Sequence, residues 1–380
     1  MKFPGCKRTA SALAVVALAV VVVLANSLDT SAQTEVRPGQ TPDADLAGFS
    51  ALGPIDAHVH LYKDDPAFSA LMQRLNLRVL DICVIDDRDP YSLGLLKGLE
   101  PQRGDVLKVV HSTGGRAVLC TTFSPYEFEE PGFAQRTIRQ LDADFAAGAI
   151  AVKIYKVMGM EMKSKAGKYV MPDDPAFEPI YKDIAAHHRT VVAHIAEPDS
   201  CWQAPNPAGP DYEYYQQHPE EYAYAHPEWP SKAAILAARD HLVAENPTLR
   251  VVGAHLGSME ADVDQMARRF DRYPNFAVDT AARVPYFMVQ PRGKVRAFLI
   301  KYQDRILYAT DLVVMPKDDT EKALQAWKDT YERDWKFFST DHTVEYKGHA
   351  YQGLSLPGPV LRKIFHDNAV HWLPGIQGEK

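Results

Sequence analysis

One pattern constrains this chain more than any other: short runs rich in Val, Ile and Ala recur along it, separated by longer stretches with helical spacing. The runs cover residues 54–59, 77–85, 116–122, 149–155, 190–195, 249–255, 275–279 and 305–309. No two lie close enough for a tight hairpin, so the strands they form are expected to pair in parallel through helical crossovers. Eight such units over roughly 250 residues predict an α/β fold of the (β/α)8 TIM-barrel kind. A doubly wound open sheet is the alternative, but no glycine-rich phosphate turn follows the first run. The intervening helices have recognisable starts. Asp174 and Pro175 open one running to His188, Ser231 caps one that buries Ile235, Leu236 and Leu242, and Gln290 and Pro291 precede a stripe of Val295, Phe298 and Leu299.

The barrel units take up residues 51–376 and leave the N-terminus outside them. Lys2, Lys7 and Arg8 precede an uninterrupted apolar run from Ala12 to Ala25, and Thr30, Ser31 and Ala32 offer small residues for cleavage. Residues 1–32 therefore read as a secretory signal peptide, too short in its apolar part for a membrane span of about 20 residues. An uncleaved anchor is the alternative, and either places the rest in the periplasm or outside the cell. Residues 33–50, with Pro38, Gly39 and Pro42, read as a flexible linker. The formal charge of −7 gives no reason to expect nucleic acid or an anionic bilayer as partner. Cys83, Cys120 and Cys201 are an odd, widely spaced set, a poor disulfide framework even in an oxidising compartment.

Strand alternation sorts the residues that face the barrel interior. In the fourth run Lys153 and Tyr155 share a face opposite the branched Ile150, Val152 and Ile154; in the fifth His194 opposes Ile195, and in the sixth His255 opposes Leu256. Polar residues thus collect at the C-terminal strand ends, where barrel enzymes keep their sites. The first run reads IDAHVH, and His58 and His60, two apart, can point to one side and share one metal ion. An HxH pair alone is a modest signal. It gains weight because His194, His255 and Asp311 fall at the same end of three other strands.

On these residues, together with the C-terminal stretch VLRKIFHDNAVHWL, the chain resembles the amidohydrolase superfamily, in its amidohydrolase-related branch, over nearly all of its mature length. The resemblance implies a metal-dependent hydrolase in which a water molecule, activated by a divalent ion, attacks an amide, ester or lactone carbonyl of a small substrate. It also admits a metal-dependent decarboxylase of an aromatic or unsaturated acid, since the branch includes such enzymes. In a two-metal site His58, His60 and Asp311 would hold one ion and His194 and His255 the other, with carboxylated Lys153 between them. In a one-metal site His58, His60, His194 and Asp311 would be the ligands and His255 would polarise the substrate. Asp311 is the expected proton acceptor, and zinc is the first expectation for the ion, with manganese, iron and cobalt also suited to the ligand set. Apart from the resemblance, Lys153 could instead pair with a carboxylate or contact substrate, and Lys156 competes for its role.

Several residues carry two readings. Asp56, which shares the parity of His58 and His60, either fixes an imidazole tautomer or caps the strand's lower end. Arg283, just after the seventh run, either meets an anionic substrate group or pairs with loop acids. Residues 197–230 form the longest irregular stretch and hold Trp202, Tyr212, Tyr214, Tyr215, Tyr222, Tyr224 and Trp229, the composition of a lid over a flat or apolar substrate or of a homo-oligomer contact. Tyr155 and Trp202 are the expected aromatic contacts to substrate, and residues 163–171 are expected as a small hairpin over the mouth. A reading from another class keeps the same barrel as a non-catalytic metal- or ligand-binding module.

Overall fold

The computed structural model describes residues 45–85, 98–207, 209 and 211–378. The expected signal peptide and the first part of the expected linker lie outside those residues. The backbone traces nine parallel strands: β1 (Ile55–Leu61), β2 (Arg78–Ile82), β3 (Ala117–Thr122), β4 (Ala151–Ile154), β5 (Thr190–Ala193), β6 (Arg250–Gly253), β7 (Phe276–Asp279), β8 (Ile306–Leu307) and β9 (Leu312–Val314). Each pairs with the next in sequence from β1 to β8, and β9 returns to pair with β1 through Val59 opposite Leu312.

β8 and β9 are one strand interrupted. Between them Tyr308 accepts a hydrogen bond from the Ala57 amide at 2.9 Å, and the Asp311 amide donates to the His58 carbonyl at 2.8 Å. The eighth strand therefore closes the ring, and the fold is a TIM barrel. The break has a local cause: Asp311 sits at φ 67°, in the left-handed region that a strand cannot accommodate. All eight expected strands are present.

Helices pack outside the sheet with the expected caps. Ser231 Oγ accepts from the Ala234 amide at 3.2 Å at the start of Lys232–Glu245. Asp174 accepts from the Ala176 amide at 3.0 Å, but the helix itself begins later, at Glu178, and ends at Ala186. At the other end of the chain Asn368 donates to the carbonyls of Gln303 (2.6 Å) and Ile306 (2.7 Å), tying the closing helix to β8. The expected hairpin over 163–171 is present as a Lys163–Tyr169 bridge. Cys83, Cys120 and Cys201 are buried free thiols.

Residues 46–50, expected within the linker, are packed against the barrel instead. Leu46 and Phe49 are fully buried, and Phe49 packs edge-on to Tyr308 and Phe365 and against Tyr331. Burying two large apolar side chains, at about 1.5–3 kcal/mol each, outweighs the freedom of a polar tether here. Among the described residues no helix is long and apolar enough to cross a membrane.

Candidate metal centre

The C-terminal ends of β1, β4, β5, β6 and β7, with the break in the eighth strand, bring His58, His60, Lys153, His194, His255, Asp279 and Asp311 together, and all are nearly or wholly buried. Asp311 Oδ1 lies 3.5 Å from His58 Nε2 and 3.4 Å from His60 Nε2. It is sealed from solvent and has no hydrogen-bond partner, and the same is true of His194 Nε2. Leaving such atoms unmet costs about 1–3 kcal/mol each, so their presence together asks for a ligand. A tetrahedral ion about 2.1 Å from each donor holds neighbouring donors about 3.4 Å apart, which the Asp311 distances match. The residues fit a divalent metal.

Three imidazoles are aimed at this point by what holds their other nitrogen. The Nδ1 of His60 meets the Ile82 carbonyl at 2.8 Å, that of His255 the Ala281 carbonyl at 3.0 Å, and that of His58 the Asp279 carboxylate at 2.9 Å. A proton on Nδ1 satisfies each of these contacts and leaves Nε2 with its lone pair free to ligate. Burial, with Lys153 close by, pushes His58 well below the usual histidine range; burial, with His255 close by, does the same to His194. Burial also brings His255 down to about 3. All three are therefore neutral at pH 7, the form a metal requires.

Asp311 also shifts down, but for a different reason. Burial alone would raise it, but His255, His60 and His58 outweigh that and hold it below the carboxylate range. The Lys153 Nζ stands 3.0 Å from His58 Nε2, and burial lowers its pKa against the pull of Asp279 and Asp311. Burial thus favours the uncharged amine, the form that can take up carbon dioxide.

The geometry of His255 has a further source. His255, Leu256, Gly257 and Ser258 follow β6 with φ of 58°, 57°, 60° and 56°. Left-handed backbone costs non-glycine residues roughly 1–2 kcal/mol each. The turn is held by Asp279, which accepts from the His255 amide at 2.8 Å, and a Cβ on Gly257 would come within 3.1 Å of Arg239 Nη1.

A sequence model of the amidohydrolase family matches residues 55–375. The chain belongs to the amidohydrolase family. No curated protein matches it. Among solved structures, it is similar to an uncharacterized TIM-barrel protein from Bordetella bronchiseptica (15% identity, 85% of this chain and 99% of that one, TM-score 0.45). It is similar also to 2,6-dihydroxybenzoate decarboxylase from Rhizobium (15%, 84% and 98%, 0.46) and to dihydroorotase from Campylobacter jejuni (11%, 84% and 82%, 0.41).

Within this amidohydrolase the expected ligands converge, and the substrate contacts divide. Tyr155 meets the His194 ring edge-on at 5.2 Å between centroids, inside the site. Arg283 stands at the mouth, its Nη2 4.0 Å from Glu197 Oε2. Trp202 differs: its indole N–H donates to the Pro230 carbonyl at 3.2 Å, so its polar handle is used within the lid segment. Lys156 does not compete with Lys153, because it is bound to Glu197 and Glu221.

Asp56 does not face the interior as alternation alone suggests. A register shift between Asp56 and Val59 breaks the strand's parity, and the carboxylate accepts from Tyr331 of helix Thr320–Ser339, from Thr310 and from the His58 amide. Burial raises it to about 7. It caps backbone, and the carboxylate that orients His58 is Asp279, which strand reading left out. Its signal was its place as the last residue of β7, level with the other strand-end ligands.

The lid of residues 197–230 contains short helices at Asp199–Trp202 and Tyr212–Gln217. Tyr215 stacks on Tyr222 at 5.0 Å, and Tyr222 donates to the Gln203 carbonyl at 2.5 Å. Lys156, just past β4, binds Glu197 and, at 2.7 Å, Glu221, to which Tyr214 donates at 2.5 Å. On the opposite side Tyr286 donates to Asp211 at 2.6 Å. The segment is thus fastened across the mouth from β4 to the helix after β7.

Proposed function

We propose that the protein is a metal-dependent hydrolase of a small organic substrate with an amide, ester or lactone carbonyl. The observation that carries this reading is the buried, unpartnered Asp311 Oδ1 converging with His58 Nε2 and His60 Nε2, with the buried Lys153 amine group beside them. His58, His60 and Asp311 would hold one ion; Lys153, as a carbamate, with His194 and His255 would hold a second. Zinc is the first expectation from these nitrogen and oxygen donors.

The bound metal supplies a Lewis acid for the carbonyl and a water acidic enough to react near neutral pH. The chain supplies the rest. Asp311, ionised, offers its Oδ2 as proton acceptor and returns the proton to the leaving group. His255 is neutral and fixed through Nδ1 by the Ala281 carbonyl, so its Nε2 is left to help hold the second ion. The lid and Tyr155 limit water at the mouth. The first 32 residues support export, and N-terminal sequencing of the mature protein, beginning near residue 33, tests that.

Metal analysis of the purified protein, followed by an ester, lactone and amide panel, tests the hydrolase. Bound divalent metal and hydrolysis that stops on chelation are expected. A folded protein with no affinity for divalent metal would end this reading, as would carbon dioxide release from aromatic acids with no hydrolysis of any panel member.

A further inference from the structure

Arg283 is balanced in charge and open in hydrogen bonding. Among the described residues its guanidinium makes one hydrogen bond, from Nη1 to the Ala282 carbonyl at 3.3 Å, and lies 5.5 Å over the Tyr286 ring, while its Nε is sealed from solvent without a hydrogen-bond partner. The Glu197 carboxylate stops at 4.0 Å, beyond hydrogen-bond range. Burial opposes the cation, yet Tyr286, Asp211, Glu197 and Glu260 around it hold its pKa up. An arginine serving only the fold would close onto Glu197, as Lys156 does onto the same carboxylate. Instead its planar fork of five donors is nearly unused, and that fork matches a carboxylate two bonds at a time.

Its position gives the open fork a meaning. Glu197 Oε1 lies 3.7 Å from His194 Nε2, and the His194 and His255 rings are 4.2 Å apart. A line of contacts therefore runs from Arg283 along the mouth to the metal centre. We infer that the substrate carries a carboxylate that docks on Arg283, on the His194 side of the pocket and apart from the carbonyl that reacts beside Asp311. Glu197 stands next to that docking place and competes for it. The inference rests on the barrel mouth being the substrate pocket.

Calorimetric titration of the metal-loaded protein with benzoate, benzamide and inorganic phosphate tests it without any turnover. Wild type is expected to bind benzoate at least tenfold more tightly than benzamide, and Arg283→Gln to lose that preference. A preference that survives Arg283→Gln arises at the metal and overturns the inference; phosphate binding as tightly as benzoate overturns the carboxylate assignment. Should Arg283→Gln fold poorly, Glu197→Gln reads the same site: benzoate affinity should rise several-fold, and an unchanged affinity counts against the proposal. A tenfold preference in a protein that hydrolyses nothing would end the hydrolase reading and leave the anchor standing. Hydrolysis with no effect of either variant on benzoate would do the reverse.

Discussion

The floor of the site and its lid are held by different means. On the floor, His60 and His255 are oriented by backbone carbonyls and His58 by a buried carboxylate, so each ring is as fixed as the barrel itself. The lid is held by side chains that reach across the mouth: Lys156 to Glu221 on one side and Tyr286 to Asp211 on the other. The first arrangement preorganises donors for a cation, and the second can be undone without disturbing a strand. Ligand geometry and substrate access are therefore separable by mutation.

The largest expected effect is on the floor. Asp311→Asn keeps the shape but removes the proton acceptor and one anionic ligand atom, and should lower kcat by about 10²–10⁴-fold in a steady-state assay, with intact folding by circular dichroism. Lys156→Met comes next, because it leaves Glu197 and Glu221 buried without their cation, a loss of about 3–5 kcal/mol. The lid should release before the barrel unfolds, so proteolysis should cut within residues 199–230 and KM should rise more than kcat falls. Cleavage elsewhere, with kcat lost outright, would show that floor and lid are one unit.

A smaller effect sharpens the contrast. Asp279→Asn leaves the ligand atoms in place but weakens the hold on His58 Nδ1, and metal affinity measured by competition with a chelator should fall about 10–100-fold. The smallest concerns Asp81, which lies under the floor with its Oδ2 unpartnered and its pKa raised well above 3.8 by burial. The folded state holds that proton more tightly than the unfolded chain does. Its contribution to stability is therefore full below pH 3.8 and is lost as pH rises toward the folded value. Asp81→Asn should gain on wild type in urea denaturation as pH is raised from 4 to 8, and parallel curves would show that Asp81 does not titrate there.

The same division explains what could be read from the sequence. The strand period exposed His58, His60, Lys153 and, directly after β5, His194, because a backbone repeat of two places each on one face; His255 followed from its place at a strand end, although a left-handed turn past β6 positions it. Asp311 followed from its position at a strand end, although its left-handed backbone and the break around it have no sequence signal. Of the two readings of Asp56 the capping one holds, because a register shift near His58 changes its facing. Glu197 and Lys156 were missed as partners because nothing local links residues 41 apart that meet only when β4 and β5 lie side by side. The aromatics of residues 197–230 announced a packed segment, but their spacing could not tell self-stacking from contact with a substrate.

The helix Ala47–Ala51 precedes β1, so it sits at the end of the barrel away from the strand-end ligands, and Phe49 is clamped there by Tyr308, Tyr331 and Phe365. Residue 45, the first of the described residues, consequently lies on the face opposite the substrate entrance. A tag, a fusion partner or a surface attachment placed at that end would orient the catalytic opening outward and leave diffusion into it unobstructed.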